Sequence, residues 1–493
     1  MASILALDQG TTGSTALVVH QDGTILGRGY REFTQHYPRP GWVEHDPEEI
    51  LRVSIEAMRD ALTASRERPA GLGITNQRET VVLWDRRTLA PAAPAIVWQD
   101  RRTTDRCREL REAGLAPLLR ERTGLVPDPY FSATKLEWLL RSPELGRRAE
   151  RGELAAGTVE SWLVARLTGG RAHVTDHTNA SRTLLYSLHT RDWDPELLRL
   201  FGVPAEVLPR IVASAGVVAD TDPAHLNFAL PVAGLAGDQQ AALFGQGCVA
   251  PGRAKNTYGT GAFLLVHAGA TVPTPPEGVL ATAACGPLGE PAYALEGSVF
   301  IAGAAVQWLR DGLGLIGTAP ETEALARSVA DTGGVHFVPA FVGLGTPHWE
   351  PDARGTITGI TRGTTRAHLA RAALEAMAFS SAELLAAMTG AAHLSVPALR
   401  VDGGAAANDW LMQFQADVLG LPVERPDMVE TTALGAAGLA GIPLGVWRST
   451  DELLAGRRFA RFEPGTDPEE RARRVSGWER AVGAALWWAR GRG

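Results

Sequence analysis

The chain has 493 residues, 45% of them hydrophobic and 21% charged, with 48 basic against 55 acidic side chains and a net charge of −7. That length exceeds what one hydrophobic core supports, so two large domains with a cleft between them are expected, and the acidic balance argues against nucleic acid or an anionic membrane as partner. Small molecules remain. Three widely separated cysteines, Cys107, Cys248 and Cys285, offer neither a disulfide frame nor a zinc site. No run approaches the ~18 apolar residues of a membrane span, and the N-terminus lacks a basic leader, which predicts a protein of the reducing cytosol.

Ile4 to Leu7 reads as a buried strand closed by Asp8, and Ala16 to Val19 as the returning strand. Between them Gly10-Thr11-Thr12-Gly13-Ser14 makes a turn whose glycines are expected at positive φ and whose three hydroxyls, with the backbone N–H groups, suit phosphate oxygens. Asp8 suits a hard cation such as Mg²⁺, held largely through water beside those phosphates. An ordinary β-turn has the same composition, so the turn alone decides nothing. A third strand is expected from Ile25, and a helix follows with Asp46 as N-cap, Pro47 at its first position and Ile50, Val53, Met58 and Leu62 on its apolar side.

The strand Gly71 to Ile74 runs into Thr75-Asn76-Gln77-Arg78-Glu79 before Val81 to Leu83 resume an apolar run, which places an arginine and a glutamate side by side at a strand end. Trp98 sits just before polar Gln99 and Asp100. Helical patterns cover Arg106 to Leu119, Ser132 to Leu140, Val159 to Leu167 and a short segment from Asp194-Pro195. Pro231 to Leu235 is a strand leading to Gly237-Asp238-Gln239-Gln240, with Asp238 at the N-cap position of a helix, where it either caps or acts on a ligand. GQGCVAPGRAKN (Gly245 to Asn256) is the best domain boundary, dividing the chain into 1–245 and 246–493.

The second half opens as the first did, with Ala254 to Tyr258, the turn Gly259-Thr260-Gly261 and a returning strand containing Phe263. Two hairpins of one type suggest a duplicated α/β domain with a phosphate loop on each side of a cleft. Ala292 to Glu296 reads as a strand, Ile301 to Leu309 as a helix carrying Gln307, and Leu399 to Gly404 as a strand reaching a glycine pair before Asn408 on a helix striped by Trp410, Phe414 and Val418. The N-terminus of that helix suits a nucleotide. Neither a P-loop nor a G-x-G-x-x-G unit is present, which leaves the actin, Hsp70 and sugar-kinase type of nucleotide site.

YFSATKLEWLL from Tyr130, with Lys135 and Trp138 in register, and GTITGITRGTTRAHLARAALE from Gly355 resemble the two signatures of the FGGY carbohydrate kinases. DQGTTGST, GITNQRE, VTDHTNASRT, GLAGDQQAALFGQ, AKNTYGTG, YALEG and RVDGGAAAND carry the resemblance along nearly the whole chain, within the family toward the branch that acts on glycerol. It implies an α/β fold of two duplicated ribonuclease H-like, actin-type ATPase domains around an ATP and substrate cleft, in a cytoplasmic homo-oligomer. It also implies transfer of the ATP γ-phosphate to a terminal hydroxyl of glycerol. Asp238 would be the general base and, with Arg78, Glu79, Tyr130 and Gln239, would bind the polyol, with Trp98 and Phe263 flanking its carbons. Asp8 with Mg²⁺, Gly10, Thr11, Thr12, Gly13 and Thr260 would hold phosphates, and Gly303, Gln307, Gly404 and Asn408 would surround the adenosine.

The chain departs from the glycerol-acting branch of the family at Thr15, where an arginine that can reach the nucleotide phosphates is usual. A kinase for another small polyol or ketose, or a nucleotide-binding regulator with impaired chemistry, is the alternative reading. The segment Asp220 to Pro231 lacks the glycine-rich basic loop through which some relatives bind fructose 1,6-bisphosphate, and it does not resemble the histidine loop phosphorylated in others.

Overall fold

A computed structural model describes residues 2–286, 288–392 and 394–491. Ile4 to Leu7 and Ala16 to Val19 are all fully buried, so the opening hairpin must be covered on both faces. Its strands are β1 (Ser3–Gln9) and β2 (Gly13–His20), and β3 (Ile25–Glu32) completes the expected meander. Helix α1 (Pro47–Ser65) begins at Asp46, whose carboxylate accepts the Glu48 N–H, and covers one face. β4 (Leu72–Asn76) returns parallel to β1. Much later in the chain, β5 (Ala215–Asp220) and β6 (Pro231–Gly237) finish a six-stranded sheet of order β5-β6-β4-β1-β2-β3.

The second half repeats this plan. β7 (Ala254–Tyr258) and β8 (Ala262–Gly269) form the second hairpin, followed by β9 (Leu280–Cys285), β10 (Pro291–Val299), β11 (Leu399–Gly403), β12 (Val423–Pro426) and β13 (Phe459–Phe462), in the order β9-β10-β8-β7-β11-β12-β13. An antiparallel β3-β2-β1 followed by parallel β4 and β6 in one sheet matches an antiparallel β10-β8-β7 followed by parallel β11 and β12 in the other. The duplicated α/β architecture is therefore present strand by strand.

Some local expectations fail for identifiable reasons. The pattern from Arg106 to Leu119 is two helices, Thr104–Glu112 and Ala116–Thr123, because Gly114 takes φ 71° between them. The helix expected from Ile301 starts at Gly303, runs to Gln307 and continues as a π turn over Trp308–Gly312. Among the described residues no helix is long and apolar enough to cross a membrane. Cys107, Cys248 and Cys285 are buried and unpaired, and burial pushes the Cys107 and Cys248 thiols up to about 12.

Three helices matter for the site: α2 (Asp238–Gly245), α3 (Asp409–Leu419) and α4 (Thr431–Gly441). α4 lies on the first sheet, where Ala433, Ala436, Ala437 and Ala440 share a core with Ile4, Ala6, Leu17 and Val19. α2 follows the first sheet but reaches the second, packing Leu243 with Leu265, Ala292 and Ala294. The two helices cross with almost no space between them. A Cβ on Gly435 would stand 1.9 Å from the Ala241 carbonyl oxygen, and one on Gly245 would stand 2.1 Å from that of Thr431. Gly435→Ala must push the helices apart and is expected to destabilise the protein by about 1–3 kcal/mol, read as a lower thermal midpoint.

Candidate active site

Three neighbouring parallel strands deliver the main candidate groups to one edge. Asp8 on β1 pairs in register with Thr75 on β4, and Thr75 with Ala236 on β6, so Asp8, the Arg78-Glu79 segment and Asp238 all emerge at the carboxyl ends of their strands. Ligands of open α/β sheets bind at that edge.

Arg78 and Glu79 are deeply placed, with side chains 2% and 1% exposed. Arg78 Nη1 and Nη2 donate to the two oxygens of Glu296 at 2.5 and 2.9 Å, Nη1 also donates to Gln240 at 3.2 Å, and Nη2 lies 3.5 Å from the Tyr130 hydroxyl. Its Nε faces Asp238 Oδ1 at 3.2 Å. Glu79 takes φ 62°, an uncommon conformation for a non-glycine residue, and its Oε1 accepts from Arg182 Nε at 2.6 Å. Arg182 also donates to Glu296 at 2.9 Å. Its remaining nitrogen, Nη1, has no hydrogen-bond partner, and its guanidinium lies 5.6 and 5.3 Å from the Tyr130 and Phe131 ring centres. Two arginines and two glutamates thus balance one another in the interior. Burial pushes the Glu296 carboxyl up, but Arg182 and Arg78 outweigh it and hold the group down at about 2.

Asp238 is the first residue of α2 and Gly237 is its cap, which corrects the expected N-cap placement. Its Oδ1 accepts the Gln239 N–H at 2.7 Å. The side chain is 28% exposed, unlike the four charges behind it, so a ligand can reach it. Burial raises its proton affinity, while Arg78 and Lys255 oppose the rise. Asp8 is pushed to about 7 by burial and then by the charge of Asp238. Two desolvated carboxylates repelling each other at one strand edge form a donor set that a divalent cation would relieve. Among the described residues no cluster of three acidic, histidine or cysteine side chains is built to hold a metal, so such an ion would complete its shell from phosphate oxygens and water.

The first turn differs from its expected form. Neither Gly10 nor Gly13 has positive φ. Gly13 is required by close approach, since a Cβ there would stand 2.8 Å from the Arg31 carbonyl oxygen and the Tyr30 ring. The Ser14 hydroxyl turns inward, 2.9 Å from that of Ser54, and the Thr11 hydroxyl accepts from Trp98 Nε1 at 2.9 Å. Thr12 is exposed and makes neither of these contacts. Trp98 in turn meets Tyr130 edge to face at 5.6 Å, which links the turn to the Arg78 cluster.

On the opposite sheet, Phe263 pairs with Thr257 and Ser298. Gln239 accepts from Lys255 Nζ, and Lys255 also donates to Thr257 at 2.8 Å. The Thr260 carbonyl accepts from Ala302 and Ala304 at 2.8 and 3.1 Å, and that of Gly259 from Gly303 at 3.0 Å, so the second turn and Gly303 form one unit. Gly404 lies beyond β11 in a 3₁₀ turn, Gly404–Ala407. Asn408 is the cap of α3 rather than a residue within it, accepting from Leu411 N–H at 2.9 Å. Gln307 is exposed at the end of its short helix. Gly303 and Gln307 thus bound the short helix beside the second hairpin's turn, and Gly404 and Asn408 bound the turn that follows β11.

Residues 3–245 match the N-terminal domain, and residues 254–444 the C-terminal domain, of the FGGY family of carbohydrate kinases. The chain belongs to that family. It is 56% identical to a glycerol kinase of Alkalilimnicola ehrlichii, over 99% of both chains, and 53% identical to one of Carboxydothermus hydrogenoformans, over 98% of both. A crystal structure of Plasmodium falciparum glycerol kinase with ADP superposes with a TM-score of 0.93 at 36% identity, covering 99% of this chain and 98% of that one.

In this FGGY kinase Arg182, Gln240 and Glu296 contact the Arg78–Glu79 pair and Lys255 contacts Gln239, although none of the four is among the site residues expected from the sequence. The signal for two of them was available. Glu296 and Lys255 are single charges inside otherwise apolar or neutral strands, and charged residues are almost never fully buried unless paired.

Proposed function

We propose that this chain is an ATP-dependent glycerol kinase, giving sn-glycerol 3-phosphate and ADP. The observation that carries this reading is Asp238, an accessible carboxylate next to a buried arginine–glutamate cluster at the carboxyl edge of the first sheet. In this reading Asp238 accepts the proton of the attacking hydroxyl, which sharpens the nucleophile as the bond to phosphorus forms. Glu79 Oε2, which accepts no hydrogen bond among the described residues, and Arg78, whose Nε lies beside Asp238, recognise polyol hydroxyls, with Tyr130 next to them. Trp98 and Phe263 flank the carbons, and Gln239, its amide oxygen fixed by Lys255, presents its NH₂.

The first turn's N–H groups, Thr11, Thr12 and Thr260 hold phosphate oxygens. Asp8 holds Mg²⁺ largely through water; when bound, the ion neutralises charge on the phosphates. Gly303, Gln307, Gly404 and Asn408 surround the adenosine. Residues 1–245 and 246–493 form the two catalytic domains, assembled as a cytoplasmic homo-oligomer. A coupled ADP-release assay across glycerol, dihydroxyacetone, erythritol and xylulose tests the assignment: glycerol is expected to give the highest kcat/KM, and ATP turnover independent of every polyol would sink it.

Thr15 lies directly across from Asp8 in the β1/β2 ladder, so its side chain is beside that carboxylate. Thr15→Arg would return a cation to this edge. A charge-assisted bond to phosphate worth about 1.5–3 kcal/mol corresponds to a roughly ten- to 150-fold lower KM for ATP. Unchanged ATP kinetics in a folded variant would refute the missing charge at Thr15 as a limit on ATP binding.

A further inference from the structure

We propose that Glu296 is a positioning residue for polyol binding, supplied to the first sheet's substrate cluster by the second sheet. The inference rests on the glycerol reading above and concerns how its binding groups are aimed. Arg78, Glu79 and Arg182 all come from the first half of the chain, whereas the carboxylate that engages both guanidinium groups sits on β10, an interior strand flanked by β8 and β9.

The backbone of β10 cannot readily follow the first sheet. Glu296 pairs with Leu265 on one side and Leu280 on the other, and a Cβ on the next residue, Gly297, would stand 2.1 Å from Leu384 of the helix Arg366–Ala392. Glu296 is thus rigid with respect to the second sheet. Its two oxygens occupy both Nη groups of Arg78, which leaves Nε directed at Asp238. A bidentate fork fixes the guanidinium plane as well as its position. The same carboxylate holds Arg182, which fixes Glu79 Oε1 and so orients Oε2. One side chain from the second sheet therefore sets the aim of both first-sheet groups assigned to the polyol.

A purely structural role predicts something different: Glu296 would only neutralise two buried arginines, and its loss would lower stability and the active fraction without changing affinity for polyol. Glu296→Gln keeps the shape and removes the charge; Glu296→Asp keeps the charge but is one methylene too short for the fork. In both, the KM for glycerol is expected to rise about ten- to a hundredfold, as when the second partner of a ligand-binding group is removed, while the KM for ATP stays within about twofold. Glu296→Asp should recover most of any lost thermal stability without recovering the glycerol KM.

A folded variant with wild-type glycerol KM overturns the proposal. If neither variant folds, hydrogen exchange on the wild-type protein decides: glycerol without nucleotide should slow exchange of the Arg78–Thr80 and Ala292–Val299 amides together, and protection confined to the first segment overturns it. The wild-type assay separates the two readings. Absence of glycerol-dependent ADP release removes the glycerol assignment and this proposal with it, whereas an active wild type with unmoved variants removes this proposal alone.

Discussion

Asp238→Asn is expected to lower kcat by about 10²- to 10⁴-fold, the usual contribution of a positioned proton acceptor, with little change in the KM for glycerol. The substitution preserves volume and can still accept the Gln239 N–H, so α2 should start as before. What disappears is the most exposed carboxylate of the Arg78 cluster, 28% exposed against 1% and 0% for Glu79 and Glu296. Asparagine cannot take the hydroxyl proton. The wild-type pH profile gives an independent check. A base acts only when deprotonated, and burial raises the Asp238 carboxyl against the opposing charges of Arg78 and Lys255. kcat should therefore fall as pH drops through that raised value, at a higher pH than an ordinary carboxylate would give. The acid limb should be missing from the residual activity of the variant. Full activity in Asp238→Asn would refute the base assignment while leaving the polyol cluster intact.

Arg182→Met is expected to destabilise the protein by about 3–5 kcal/mol, because removing one member of a buried charge network strands its partners. Arg182 is fully buried and holds Glu79 at 2.6 Å and Glu296 at 2.9 Å. Methionine fills much of the space beside Tyr130 and Phe131 but leaves Glu79 with Arg78 Nε, at 3.9 Å, as its remaining ion pair among the described residues. Glu79 should then bind a proton more readily, as burial already favours. The measurement is the urea midpoint at neutral pH with the slope checked for two-state behaviour. A midpoint equal to wild type would mean that the network has relaxed onto Arg78 alone.

What could be read from the residues depended on how far apart the partners lie. The two hairpins were legible because short apolar runs flank glycine-marked turns, and Asp8, Arg78, Glu79 and Asp238 could be placed at strand ends from the same local pattern. Hydroxyl direction was not legible: Ser14 has the composition of a phosphate ligand but lies opposite Ser54 of α1, a contact formed between residues 40 apart. Gly13 was assigned the right residue type for the wrong reason, since crowding by Arg31 and Tyr30, not positive φ, excludes a side chain. Asn408 caps α3 instead of lying within it, because Gly404–Ala407 makes a 3₁₀ turn before that helix begins, which the glycine pair alone does not reveal. The pairing of Arg78 with Glu296 spans 218 residues, and no local pattern reports it.

The placement of α4 has a consequence for synthesis. It covers the face of the first sheet formed by Ile4, Ala6, Leu17 and Val19, yet it follows Gly237, the last strand residue of that sheet, by about 200 residues. At ribosomal rates of roughly 5–20 residues per second, the sheet waits on the order of 10–40 seconds for its own cover. During that interval a nascent chain presents apolar surface that in the folded protein lies under α4. The protein should therefore lean on chaperones while it is being made, and a chain truncated before Thr431 should be recovered as aggregate rather than as a half-sized folded domain.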